Sequence, residues 1–106
     1  FFRRRQPAEE TADLIRAAGG NAVVVRANVG DIDAVQKLVR QGAELFGSVD
    51  IFIGNAASGV LRPALEQEAK AWEWTLNINA RSVFFGGQAA AHYMKEKGWG
   101  RIIAIS

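Results

Sequence analysis

The stretch Val49-Asp50-Ile51-Phe52-Ile53-Gly54-Asn55-Ala56-Ala57-Ser58-Gly59 constrains the fold of this chain more than any other. Its first half is β-branched and aromatic. So short an apolar run, bounded by small polar residues, reads as a strand buried on both faces, the habit of parallel sheets. The second half carries almost no side-chain bulk, so the backbone beyond the strand can lie flat against a ligand. In open α/β sheets, ligands bind outside the carboxyl ends of the strands. Residues 54–59 therefore read either as the floor of a site or as a tight connection.

The surrounding composition narrows the class. At 106 residues the chain is one domain or part of one, and 49% hydrophobic against 23% charged residues allows a core. A net charge of +2 is too small to argue for nucleic acid, and apart from Arg3-Arg4-Arg5 the basic residues are scattered. The absence of cysteine excludes disulfides and thiolate metal sites, and the single histidine argues against a His-based centre, so no metal is expected. No apolar run approaches the ~20 residues of a membrane span, and the start does not resemble a signal peptide. A cytoplasmic protein with no membrane or nucleic-acid partner is the expectation. The chain opens on Phe1-Phe2 without a methionine and closes on Arg101-Ile-Ile-Ala-Ile-Ser106, so both ends read as interruptions.

In order, Phe1-Phe2 reads as the end of a strand. Pro7 suits the first turn of a helix, with Glu9, Glu10 and Asp13 near its positive end and Gly19 to stop it. Its apolar face is Ala8, Thr11, Ala12, Ile15 and Ala18. Residues 22–27 predict a second strand. After Asn28-Val29-Gly30, Asp31 can cap a helix burying Val35, Leu38, Val39, Leu45 and Phe46 and closed by Gly47. The central strand covers 49–53. Pro63 opens a short helical or irregular stretch to about Trp72, and a long helix follows from Glu73 to Lys97. Its stripe is Leu76, Ala80, Val83, Gly87, Ala90 and Met94; Gly98 and Gly100 end it, and the last strand begins at Arg101. Strands of about five residues separated by helices predict βαβ units: an α/β, doubly wound, Rossmann-like parallel sheet, incomplete at both ends. Residues 1–106 form part of a single domain.

Three features then fall at successive strand ends: Arg3-Arg4-Arg5, Asn28-Val29 and Asn55 to Gly59. Taken singly, an arginine run is a solvated surface and an asparagine after a strand is turn chemistry. Together they mark one edge. Trp72, Trp74, Phe84 and Phe85 read as packing or subunit contact, His92 as an exposed helix residue and Arg62 as a solvated cation.

These residues resemble a family. Asn55-Ala56-Ala57-Ser58-Gly59 is similar to the Asn-Asn-Ala-Gly segment after the fourth strand of short-chain dehydrogenases/reductases. Asn28-Val29 resembles that family's Asp-Val pair, Asn77-Ile78-Asn79 its helix asparagine, and Arg101 to Ser106 the strand that delivers its catalytic serine. Within the family, the runs 55–63 and 72–80 look most like NADPH-dependent enoyl-acyl-carrier-protein reductases of the FabL type. There are departures: Gly54 stands where the family often has its first asparagine, and Asn28 replaces the commoner aspartate while keeping a carbonyl oxygen to accept a hydrogen bond. The family's Gly-rich turn falls before Phe1 and its catalytic Tyr and Lys beyond Ser106, which itself matches the position before the catalytic serine.

The resemblance implies NADP(H) as cofactor. Arg3 and Arg4 take its 2′-phosphate, Asn28 and Val29 line the adenine pocket, and Asn55 and Ala56 pass beneath the ribose towards the nicotinamide. Asn79, the one catalytic residue expected in this segment, holds a water in the proton relay. The implied substrate is a 2-enoyl thioester on acyl carrier protein, reduced by a homotetramer. A carbonyl reductase such as a 3-oxoacyl-carrier-protein reductase, or a non-catalytic dinucleotide-binding module, remains the alternative. The 106 residues alone are expected to be inactive.

Overall fold

The computed structural model describes residues 4–106; the strand expected at Phe1-Phe2, and Arg3, lie outside them. The first helix, α1 (Gln6–Ala17), carries Pro7 in its first turn and ends before Gly19, whose φ of 87° is the left-handed conformation a glycine accepts freely. α2 (Ile32–Phe46) starts where local chemistry places it: the Asp31 carboxylate accepts from the N–H groups of Asp33 and Ala34, at 2.9 and 3.2 Å. Gly47, at φ 81°, closes it.

The sheet has two described strands, β1 (Ile51–Gly54) and β2 (Arg101–Ala104), parallel and paired from Ile51↔Arg101 to Gly54↔Ala104. The ladder runs on at both ends, through Arg101 N–H to the Asp50 carbonyl and Ile105 N–H to the Gly54 carbonyl. Between the strands the chain makes a short 3-10 turn (Ala64–Glu66), then α3 (Ala69–Leu76), a π-helical segment (Asn77–Arg81) and α4 (Ser82–Lys97). Gly98 ends α4 with φ 76°.

The core lies where α2 and α4 pack on one face of β1. Val39, Ala90 and Met94 are buried, with Val49, Phe52, Ala89 and Tyr93 packed against them. Two glycines of α4 make this close approach possible. A Cβ on Gly86 would stand 2.5 Å from the Phe52 ring, and one on Gly87 would meet Ile102 at 3.4 Å. Gly54 lets Val83 sit directly over the end of β1 in the same way, since a Cβ there would lie 2.7 Å from Val83.

Four expectations are corrected. Among the described residues, 22–27 run outside any sheet ladder, where a second strand was expected. The long helix begins at Ala69 rather than Glu73 and is interrupted by the wide turn at 77–81. α2 buries Val35, Val39 and Ala43, whereas Leu45 and Phe46 are more than half exposed. These two border an apolar cleft of about 430 Å³, shared with Ala8, Thr11 and residues 23–25, on the side of α2 away from α4. The α4 stripe is buried from Gly87 to Met94, but Leu76 and Ala80 are exposed, because they precede the part of the helix that lies on the sheet.

Candidate functional site

The wide turn at 77–81 is closed by local hydrogen bonds. Ser82 N–H donates to the Asn77 carbonyl, five residues back, instead of to Ile78. The Ile78 carbonyl is served by the Ser82 hydroxyl at 2.5 Å. Serine can supply this second donor, and so the extra residue is accommodated without leaving that carbonyl unpaired.

The segment faces both loops of interest. Asn79 Oδ1 accepts from Ser58 N–H and its Nδ2 donates to the Ser58 carbonyl, each at 2.8 Å. The side-chain amide thus replaces a strand neighbour for one residue of the loop beyond β1. Two positions on, Arg81 Nη2 donates to the Gly30 carbonyl at 2.7 Å. The turn that contains Gly30 is closed by its own bonds: Gly30 N–H to Asn28 Oδ1 and Asp31 N–H to the Asn28 carbonyl, both 3.1 Å. One helical segment therefore ties the turn at 28–31 to the loop at 55–59.

The residues singled out from sequence are placed as follows. Asn55 and Ala56 are exposed immediately beyond β1, on the loop that Asn79 holds. Asn28 is exposed and Val29 half-buried, in the turn that Arg81 holds. Asn28 also borders a cavity of about 450 Å³, lined with it by Val25, Arg26, Ala27, Ala34, Lys37 and Gln41. Arg4 stands exposed just ahead of α1, and no hydrogen bond among the described residues joins it to either loop. The sequence reading missed Arg81, and it marked Ser58 within the small loop without its tie to Asn79. Arginine beside an apolar helix stripe reads as a solvated cation, and its only distinguishing signal was its place two residues after Asn79.

The other charged cluster lies at the amino end of the strands. Lys97 pairs with Asp50, which also accepts from the Ser48 hydroxyl at 3.2 Å. The hydrogen bond from the Lys97 ammonium holds the Asp50 carboxyl below the usual carboxylate range, opposed by desolvation and assisted by the Ser48 hydroxyl and the Lys97 charge. This pair stands beyond the opposite end of β1 from the loop at 55–59, and it fastens α4 to the sheet.

A parallel βαβ pair with a small-residue loop beyond its first strand, clamped by an asparagine of the following helix, invites comparison with known proteins. The sequence model described as short chain dehydrogenase matches residues 1–106. The chain belongs to the short-chain dehydrogenase family. L-rhamnose 1-dehydrogenase (NAD(P)(+)) from Azotobacter vinelandii is 39% identical over 103 residues, 96% of this chain and 40% of that one. A 3-ketoacyl-ACP reductase from Sinorhizobium meliloti superposes with a TM-score of 0.84 at 34% identity, covering 92% of this chain and 39% of the other. A short chain dehydrogenase from Burkholderia cenocepacia, solved in complex with NADP, superposes with a TM-score of 0.79 at 29% identity over 88% of this chain and 38% of that one. The chain thus spans about two fifths of the length of these short-chain dehydrogenases. Its Rossmann-like α/β class is theirs.

The two clamped loops suit a nicotinamide dinucleotide. Asn28 Oδ1 spends one lone pair on Gly30 and keeps the other to accept from an amino group. Gly30 has no room for a side chain without pressing on Asn28 and Ile78, at 3.3 and 3.4 Å from a Cβ, so the turn stays thin. Exposed Asn55 and Ala56 offer backbone to a flat ligand. The exposed Asn79 amide uses one lone pair and one N–H on Ser58 and keeps the second of each.

Proposed function

We propose that the complete protein is an NADP(H)-dependent oxidoreductase that interconverts a carbonyl and a hydroxyl group. The observation that supports this most is the common support of the loops at 28–31 and 55–59 by Asn79 and Arg81, which holds two sides of a nucleotide cleft in register. The bound nicotinamide supplies or accepts the hydride. Asn28 and Val29 flank the adenine, Asn55 and Ala56 underlie the ribose, and Arg4, with Arg3, meets the 2′-phosphate. Guanidinium forks suit phosphate oxygens, and no carboxylate lies between Phe1 and Ala8 to take a ribose 2′-hydroxyl instead. Ser58 and Gly59 keep the floor low where substrate approaches.

A β-keto thioester is a substrate this reading accommodates, and the 3-ketoacyl-ACP reductase from Sinorhizobium meliloti supports it. The L-rhamnose 1-dehydrogenase relative supports a sugar hydroxyl equally. Both names lie on the carbonyl side of the chemistry. The second reading is reduction of a 2-enoyl thioester on acyl carrier protein, favoured by the runs 55–63 and 72–80. Hydride addition to an enoyl thioester leaves an enolate whose oxygen must be stabilised, a demand the small loop meets no better than it meets a ketone. Assays of the complete enzyme with NADPH and acetoacetyl, crotonyl and sugar substrates separate the readings. A higher kcat/KM for crotonyl thioester favours the enoyl reading, and no turnover with any of them favours a non-catalytic binding module.

The quaternary proposal is a homotetramer built through α4. Phe84 is two-thirds exposed on the face away from the core, edge-on to Phe85 at 5.2 Å, with Gln88 and Ala91 further along the helix. A helix with two apolar sides needs two partners.

A further inference from the structure

We propose that Arg81 is a positioning residue for the adenosine end of the cofactor, acting through the turn at 28–31 without touching the nucleotide. The inference rests on the reading of the protein as a nicotinamide-dinucleotide oxidoreductase. Its basis is one chain of hydrogen bonds. The Arg81 guanidinium donates to the Gly30 carbonyl at 2.7 Å, across 51 residues of sequence. Gly30 N–H then donates to Asn28 Oδ1 at 3.1 Å. The oxygen available to an adenine amino group is therefore aimed by a glycine, and that glycine is held by Arg81.

Two further observations make the arrangement more than a surface contact. Arg81 Nε is buried with no hydrogen-bond partner among the described residues, so this nitrogen has given up solvent while Nη2 reaches Gly30. A solvated arginine has no reason to do so, since an orphaned buried donor is costly. In addition, Gly30 packs against Ile78 of the same segment, where a Cβ would stand 3.4 Å from the Ile78 side chain. The turn is thus seated on the segment that also carries Asn79, and its distance from the loop at 55–59 is set there. Arg81 fixes the adenine side of the cleft as Asn79 fixes the other.

The test uses the complete protein with Arg81→Met, Arg81→Lys and Arg81→Gln. The readings are the affinities for NADPH, for adenosine 2′,5′-bisphosphate and for reduced nicotinamide mononucleotide, together with KM and kcat. Arg81→Met is expected to weaken NADPH and adenosine 2′,5′-bisphosphate alike by roughly tenfold, as befits a lost charge-assisted bond. Reduced nicotinamide mononucleotide should lose much less. KM for NADPH should rise by more than kcat at saturating cofactor falls, and Arg81→Lys should recover most of the loss. Unchanged adenosine 2′,5′-bisphosphate affinity in Arg81→Met overturns the proposal, as does a loss confined to kcat. Should Arg81→Met not fold, Arg81→Gln carries the test, and an unaltered KM for NADPH in that variant overturns it. A wild-type protein that binds neither NADPH nor NADH defeats the functional reading itself.

Discussion

Asn79 holds Ser58 by both of its backbone groups, accepting from the N–H and donating to the carbonyl at 2.8 Å each. The side chain pairs with the loop as a neighbouring strand would, from within the segment where the helix widens at 77–81. A catalytic contribution from this position therefore depends on a structural one.

Asn79→Ala removes both bonds and should destabilise the protein by about 1–3 kcal/mol while lowering kcat/KM. Asn79→Asp should be worse, since it keeps the acceptor for Ser58 N–H but sets a second oxygen against the Ser58 carbonyl. Thermal melts of the two variants check the order. An aspartate variant as stable as wild type would show that the clamp contributes little.

Gly86→Ala should cost about 1–3 kcal/mol, because its methyl lands 2.5 Å from the Phe52 ring in a packed layer. Phe52→Leu in the same chain should recover part of that loss by retreating from the new methyl. A double-mutant cycle read by denaturant unfolding measures the coupling, and additivity would contradict the contact.

The Asp50–Lys97 pair gives a pH signature. The folded carboxyl titrates below the ordinary carboxylate value, held down chiefly by the hydrogen bond from Lys97. Its contribution is therefore present in full above that range and is lost as the pH falls through the depressed folded pKa. Lys97→Met should lower stability near neutrality, and its deficit against wild type should shrink as the pH is taken below about 4. A deficit independent of pH would mean that the lysine stem, not the charge pair, is what matters.

Much of this was legible locally. Asp31 as a cap and Gly47 and Gly98 as terminators follow from chemistry within a few residues, and β1 follows from its apolar run. The rest depended on distant partners. Leu45 and Phe46 share the helical period of α2 with Val35 and Val39, yet α2 meets α4 along Val35, Val39 and Ala43. No periodicity shows which apolar stripe meets the neighbour. Asn77 and Asn79 also allowed an irregular helix start, but the wide turn at 77–81 and the Ser82 hydroxyl that serves the Ile78 carbonyl within it needed the structure to be seen. Asn55, Asn28 and Asn79 stood out as candidates by resemblance, whereas Arg81 needed the tertiary contact with Gly30 to be seen.

Exposed Phe84 bears on assembly. If α4 forms a subunit interface, Phe84→Arg in the complete protein should shift sedimentation at micromolar concentration towards smaller species with its melting behaviour as a folded protein retained. A wild-type protein that sediments as a monomer would remove the tetramer from the account.

The preference for NADP(H) should rest on the arginines ahead of α1. Arg3→Ala combined with Arg4→Ala should weaken NADPH by roughly tenfold or more and leave NADH nearly unchanged. An unaltered ratio between the two cofactors would move the 2′-phosphate elsewhere.

The central claim is that a nicotinamide dinucleotide lies across the turn at 28–31 and the loop at 55–59. Amide hydrogen exchange of the complete protein with and without NADPH tests it most directly. Slower exchange concentrated at residues 28–31 and 55–59, and little change at the Asp50–Lys97 end of the strands, is the expected result. Saturating NADPH that leaves both segments exchanging at their free rates would contradict it.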